Sequence, residues 1–230
     1  MGEAKQAGRQ KLPLEGVRVL ELSHIVAGPS GGLMLGDMGA EVIKIEHPAS
    51  GDTARSQSNA GQTFFSFNRN KRYLALDLRK DAGKKIFGEL VAKADVVIDN
   101  FAPGALKRLG LDYEFGRKIN KRIIYCSVKG FLPGPYSDRP FLDELAQMAG
   151  GLAYLTGFQD QPMRAGASIT DIGAATYGVM GILAALYRRE QTGEGDHIEA
   201  GLYETIVFWV SQYVLGAQLS GKYPPPRGSR

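Results

Sequence analysis

The 230-residue sequence is poor in cysteine and histidine, and this scarcity excludes several kinds of site. Its single cysteine, Cys126, lies in the apolar run RIIYCSV, so neither a disulfide framework nor a cysteine-rich metal site can form. The three histidines, His24, His47 and His197, have no spacing typical of a metal centre, and His197 falls in the polar segment TGEGDHIEA, which reads as a turn. We therefore expect no metal, and a reducing, cytoplasmic compartment.

The sequence also shows no targeting segment and no block of charge. The first ten residues, MGEAKQAGRQ, contain neither the apolar part of a signal peptide nor a myristoylation pattern. The longest apolar stretch, 172–187, falls short of the ~18 to 20 residues that a membrane helix needs. The 28 basic and 24 acidic residues are mixed along the chain. We expect no membrane and no nucleic-acid partner, and the small basic excess suits a polyanionic small ligand.

What the sequence does contain is an alternation of short β-rich runs and helical segments. It predicts strands at 17–23, 41–47, 72–78, 95–100 and 122–128, and helices at about 29–39, 80–93 and 104–119. Further helical patterns occupy 141–150, 171–190 and 203–220. The predicted fold class is α/β, with a mostly parallel sheet and helices on both faces. The 171–190 helix is apolar on nearly every side, so we expect it to be packed all round.

The first strand leads into glycines, a helix and a second strand ending near Glu46, which is the outline of a dinucleotide site. The fingerprint fails in detail, because Gly28, Gly31 and Gly32 give G-x-x-G-G with Pro29 inserted. Basic residues recur at predicted strand ends: Lys71, Arg72, Arg79, Lys107 and Arg108. Their repetition favours a phosphate-bearing ligand, although each residue alone is better explained as solvated surface charge.

Asp171, in GASITDIGAATYG, is the remaining candidate for chemistry, since the sequence has no G-x-S-x-G elbow and no P-loop. Thr170 or Asp171 can be simply the N-cap of a helix. The same position also suits a carboxylate nucleophile, which the helix dipole and free N–H groups would keep ionised. The residues alone leave both interpretations open.

Six stretches in order resemble one family over 14–230. They are LEGVRVLELSHIVAGPSGGLMLGDMGAEVIKIEHPASGDTAR, NRNKRYLALDLRK, ADVVIDNFAPGALKRLGLDY, SVKGF, FLDELAQMAGGLAYLTG and ITDIGAATYGVMGILAALYRREQTGEGDHIEAGLYE. Together they resemble the class III CoA-transferases of the formyl-CoA and carnitine CoA-transferase type. The resemblance outweighs the dinucleotide interpretation.

The resemblance implies a Rossmann-like large domain, a small domain and two interlocked subunits. It also implies that Asp171 is the nucleophile, with no cofactor beyond coenzyme A. Its implied CoA contacts are His24, Ile25, Val26, Ala27, His47, Leu76, Arg79, Asn100, Phe101 and Arg108. We accordingly assign 1–13 to a tail, 14–220 to the large domain and 221–230 to the start of a linker toward a small domain absent from this chain.

The expected reaction moves CoA from an acyl-CoA to a carboxylic acid through an aspartyl anhydride and an enzyme-bound CoA thioester. Two alternatives share the fold. An acyl-CoA racemase is disfavoured, because Leu142 stands before Asp143 where racemases carry a proton-transferring histidine. The other is a non-catalytic CoA-binding subunit of a heteromeric transferase. The expected assembly is a homodimer, with a heteromer of homologous subunits as the second possibility.

Overall fold

A computed structural model describes residues 11–56 and 61–228. Residues 1–10 of the predicted tail and 229–230 of the predicted linker lie outside that part. The described strands are β1 Arg18–Leu22, β2 Glu41–Glu46, β3 Lys71–Ala75, β4 Val96–Asp99, β5 Ile124–Lys129 and β6 His197–Gly201. The described α-helices are α1 Ala27–Asp37, α2 Gln62–Asn68, α3 Asp81–Val91, α4 Ala105–Leu109, α5 Tyr113–Ile119, α6 Asp143–Ala149, α7 Leu152–Thr156, α8 Ile169–Thr192, α9 Leu202–Trp209 and α10 Ser211–Ser220.

The six strands form one sheet in the order β3-β2-β1-β4-β5-β6, and every neighbouring pair is parallel. Successive residues of β1 point to opposite faces, so Val19 joins the core under α1 and α8 while Leu20 joins the core under α3. Both faces are therefore covered, and the predicted α/β class is confirmed.

The structure departs from the sequence prediction at five places. His197 opens strand β6 instead of lying in a turn; the strand was missed because only Ala200 and Gly201 of its five residues are buried. The predicted helix 104–119 is divided at Gly110, whose φ of 70° is left-handed. The predicted helix 203–220 is divided at Val210, and the short helices α2 and α7 were not predicted.

Helix α8 packs through its small residues. A Cβ on Gly178 would lie 2.9 Å from Cys126 Sγ, and one on Gly181 would lie 2.8 Å from an Ile198 methyl, so the helix lies close against β5 and β6. Within one chain the helix is not packed all round, because Met180 and Tyr187 are exposed on its outer side. Its length and composition would allow it to cross a bilayer, but here it is a partly buried core helix.

Candidate active site

A cleft of about 480 Å³ opens at the carboxyl ends of β1, β4 and β5. Strands β1 and β4 are neighbours in the sheet, and the chain order reverses between them, which is where open α/β sheets bind ligands. Seven of the predicted site residues line this cleft: His24, Ile25, Val26, Ala27, Asn100, Phe101 and Asp171. The sheet topology thus brings together residues that are far apart in sequence.

The turn after β1 is tightly held. Ile25 has a φ of 66°, a left-handed conformation that is rare for a β-branched residue. Asn100, after β4, accepts the His24 N–H at 2.9 Å and donates to the His24 carbonyl at 2.8 Å. The His24 ring stacks on Phe101, with centroids 5.3 Å apart. Burial lowers the pKa of His24, so the imidazole is neutral near pH 7.

Asp171 lies in the first turn of α8, but it does not cap that helix. The helix begins at Ile169, and the preceding Ser168 makes no side-chain cap bond. The cap comes from α6: Asp143 Oδ1 accepts the backbone N–H of Thr170 at 2.7 Å and that of Asp171 at 3.3 Å. The prediction of Thr170 or Asp171 as N-cap is therefore wrong, because a side chain 27 residues earlier in the chain occupies these donors.

The ionisation of Asp171 also differs from the sequence prediction. Burial, and secondly the negative charge of Asp143, raise the pKa of Asp171 to about 7. The first-turn N–H groups that were expected to keep it ionised already bond to Asp143. The Asp171 carboxylate accepts no hydrogen bond from the described part of the chain. Near neutral pH the side chain is therefore present both as the carboxylic acid and as the carboxylate.

Lys129 is a cleft residue that the sequence reasoning overlooked. It is the last residue of β5, and its Nζ lies 2.5 Å from Asp99 Oδ1 and donates to the Phe101 carbonyl at 3.2 Å. Asp99 also accepts a 2.6 Å hydrogen bond from Ser127. The position of Lys129 at the end of a strand, in SVKGF, was the signal that could have identified this residue.

Four predicted ligand residues, His47, Leu76, Arg79 and Arg108, do not line this cleft. His47 and Arg79 contact each other beyond the ends of β2 and β3, where Arg79 Nε also lies 3.0 Å from Asp77. Arg108 is an exposed residue of α4 that donates to the Pro103 carbonyl at 3.2 Å.

Two of the basic residues noted at strand ends lie at the amino ends of the strands, away from the cleft. Lys71 and Arg72 open β3, so they belong to its amino end. Lys71 is buried against Glu21, with Nζ and Oε2 2.7 Å apart, and cannot reach a phosphate. Among the described residues, no group of three or more His, Cys, Asp or Glu side chains is placed to hold a metal ion.

Comparison with known proteins gives a consistent result. Residues 14–230 match the family model described as CoA-transferase family III. A formyl-CoA:oxalate CoA-transferase of Streptomyces avermitilis is 41% identical over 200 residues, covering 84% of this chain and 49% of that protein. A succinyl-CoA:glutarate CoA-transferase of Mus musculus is 39% identical over 228 residues, covering 94% of this chain and 52% of that protein.

A solved structure, a CAIB/BAIF family protein from Brucella suis, is also similar. It aligns with a TM-score of 0.89 at 40% identity, over 95% of this chain and 61% of that one. The chain spans about half the length of the curated relatives it matches.

Proposed function

The chain belongs to CoA-transferase family III, and from that premise we propose that the protein moves CoA from an acyl-CoA donor to a carboxylic acid acceptor, with Asp171 as the nucleophile. One observation carries this proposal. Asp171, a partly buried carboxylate with a pKa of about 7, lies in the same cleft as the His24–Ala27 turn.

The other carboxylates of the cleft suit the role less well. Asp143 is held by the backbone of α8 and by Gln147, whose Nε2 donates to it at 2.7 Å. Glu144 is exposed and lies 4.0 Å from Arg164. The raised pKa of Asp171 makes its carboxylate more basic than an exposed one, and it has no partner in the described chain that would have to be displaced before it attacks.

The proposed reaction balances without an added cofactor. Asp171 attacks the thioester carbonyl of the donor, the C–S bond breaks, and CoA thiolate leaves an aspartyl mixed anhydride. The thiolate then attacks the Asp171 carbonyl carbon, which releases the donor acid and forms an enzyme-bound CoA thioester. The acceptor carboxylate attacks that thioester to give a second anhydride and free thiolate. The thiolate takes the new acyl group, which restores Asp171.

CoA binding is proposed to use the residues that the family resemblance indicated. His24, Ile25, Val26, Ala27, Asn100 and Phe101 would form the wall beside Asp171. His47, Leu76, Arg79 and Arg108 would extend the binding surface beyond the cleft, where the two exposed guanidinium groups would bind the phosphates. Together these residues would lead the thioester end of CoA to Asp171.

The test is capture of the covalent intermediate. The complete protein is incubated with a donor acyl-CoA and no acceptor, and the peptide of residues 165–188 is studied by mass spectrometry. The expected adduct is CoA minus water on Asp171, released by hydroxylamine. Asp171→Ala should lose the adduct and still bind CoA, while Glu144→Gln, which changes another carboxylate of the cleft, should keep it. An adduct of normal yield on the Asp171→Ala protein would refute the proposal.

We propose further that 14–220 form the large domain, that 221–230 begin a linker, and that the protein works as a homodimer in the cytoplasm. The exposed apolar side chains of α8, α9 and α10 support the dimer: they are Met180, Tyr187, Phe208, Leu215 and Leu219. Light scattering of the complete protein is expected to give twice the mass of one chain. A monodisperse monomer at micromolar concentration would contradict the dimer.

A further inference from the structure

The turn that carries Ile25 adopts a conformation that its own sequence disfavours. A β-branched residue at a φ of 66° has its Cβ crowded by the backbone, so neighbouring groups must supply the free energy that holds it there. Since Ile25 and its neighbours line the cleft beside Asp171, whatever holds this turn also sets the shape of the site.

The hydrogen bonds that hold the turn come from three side chains in different parts of the chain. Asn100 binds both the N–H and the carbonyl of His24. Asp52 Oδ1 accepts the N–H of Ile25 at 3.1 Å. Lys44 Nζ donates to the carbonyl of Ser23 at 2.8 Å. Three consecutive residues are thus fixed through their backbone atoms.

Asp52 and Lys44 are themselves an ion pair, with Oδ2 and Nζ 2.9 Å apart and both side chains wholly inaccessible. Lys44 also pairs with the buried Glu21, at 2.8 Å from Oε1. Asp52 Oδ1 additionally accepts the Ala54 N–H at 2.9 Å, which fixes the carboxylate at its own end. A solvent-excluded pair of charges is costly unless its hydrogen bonds are satisfied, and here the Ile25 N–H and the Ser23 carbonyl of the turn supply two of those bonds.

We infer that Asp52, supported by Lys44, is a positioning residue that holds Ile25 in its left-handed conformation and so shapes the wall that would bind CoA. The expected effect on CoA binding rests on the proposed function, whereas the role of Asp52 in holding Ile25 does not. Neither side chain can touch a substrate, because both are completely buried beneath the turn. Their effect reaches the cleft through the backbone of residues 23–25, and for Asp52 also through the His24 ring, whose Nδ1 lies 3.9 Å from Asp52 Oδ1.

A matched control lies at the amino ends of the strands, on the side of the sheet away from the cleft. Asp95 precedes β4, accepts the Arg18 N–H at 2.8 Å and lies 2.9 Å from the buried Arg189. Like Asp52, it combines a backbone acceptor with an ion pair to a buried base. Asp95→Ala should therefore lower stability without changing the cleft.

The first experiment measures CoA affinity by calorimetric titration of the complete protein. Asp52→Ala is expected to weaken binding by roughly ten-fold, since the turn loses a charge-assisted hydrogen bond. Asp52→Asn retains an oxygen acceptor for Ile25 and should weaken binding less, by about two- to three-fold. Asp95→Ala should leave the affinity unchanged. Equal affinities for the wild-type and Asp52→Ala proteins would overturn the inference.

A double-mutant cycle separates positioning from general destabilisation. Glycine adopts positive φ at no steric cost, so in an Ile25→Gly background the loss of Asp52 should cost clearly less CoA affinity than in the wild type. Equal costs in both backgrounds would mean that Asp52 does not act through Ile25, and would refute the inference.

Amide hydrogen exchange decides the question without a ligand. Asp52→Ala should speed exchange in the peptide 23–28, and Asp95→Ala should not. If the wild-type protein binds no CoA, the proposed function fails and this measurement alone judges the inference. Unchanged exchange in peptide 23–28 of the Asp52→Ala protein would overturn it.

Discussion

Asp143 accepts the backbone N–H of Asp171, at 3.3 Å, and so one carboxylate caps the helix turn from which the other projects. The arrangement has two consequences for Asp171. The cap fixes the helix end and with it the position of the side chain. Burial and the charge of Asp143 together raise the pKa of Asp171 to about 7. One residue thus affects both the geometry and the basicity of the proposed nucleophile.

The first prediction concerns the pH dependence of activity. If the Asp171 carboxylate is the nucleophile, it must be ionised, so kcat/KM should rise with pH and level off above a midpoint near 7. Asp143→Asn keeps an oxygen acceptor for the helix N–H groups but removes the charge, and should move the midpoint down by about one pH unit. A pH–rate profile measured with one acyl-CoA and one acceptor tests this. A midpoint that stays in place in Asp143→Asn would contradict it.

The second prediction is that Asp171 destabilises the native state at high pH. Its folded pKa of about 7 lies above that of an unfolded aspartate, so the folded chain holds the proton more tightly. The associated stability is complete below the unfolded pKa of ~3.9 and is lost as pH rises through about 7. Asp171→Asn should then gain about 1 to 3 kcal/mol over the wild type at pH 8, and almost nothing near pH 4.

Urea unfolding at both pH values measures this difference. Glu144→Gln is the control, since it changes an exposed carboxylate of the same cleft and should shift stability by less than about 0.5 kcal/mol at either pH. A gain for Asp171→Asn that is equal at pH 4 and pH 8 would show that the side chain acts through packing instead of charge.

The third prediction assigns a stability role to the cap. Asp143→Ala removes the acceptor for Thr170 and Asp171 and the partner of Gln147, so it should cost about 1 to 2 kcal/mol, whereas Asp143→Asn should cost less. Thermal unfolding ranks the three proteins. Equal stability of the alanine and wild-type proteins would mean that water replaces the cap without loss.

The sheet was predictable from the sequence because each buried strand is a short apolar run between turn signals. Strand β6 was not, because it is an edge strand whose polar residues carry no apolar pattern. Asp171 was predicted as the nucleophile from its motif, and the structure places it in the cleft, but the cap of its helix was not predicted. The cap arises from Asp143 on another helix, and local sequence cannot show which distant side chain reaches a helix end.

The fourth prediction concerns the two guanidinium groups outside the cleft. If Arg79 and Arg108 bind CoA phosphates, each Arg→Ala change should weaken CoA binding by roughly one to two decades, with little effect on stability. Arg72→Ala is the control, because Arg72 is also exposed but lies at the amino end of β3, where it pairs with Glu41 at 3.0 Å. Calorimetric titration at low salt compares the three. Unchanged affinity in both single variants would remove the phosphates from these positions.

The last prediction tests whether the glycines of α8 serve close packing. A Cβ at Gly178 would lie 2.9 Å from Cys126 Sγ and 3.6 Å from Ala200 Cβ, within a core where neither atom can move freely. Gly178→Ala should therefore destabilise the protein by about 1 to 3 kcal/mol, despite the better helix propensity of alanine. Gly216→Ala is the matched control: Gly216 is a residue of α10 where an added Cβ would meet no described atom within 4 Å, so alanine there should stabilise by up to ~1 kcal/mol. Urea unfolding should give changes of opposite sign in the free energy of unfolding for the two variants, which would show that close packing outweighs helix propensity at Gly178. A stabilising Gly178→Ala would show that the contact between α8 and β5 is looser than the structure describes.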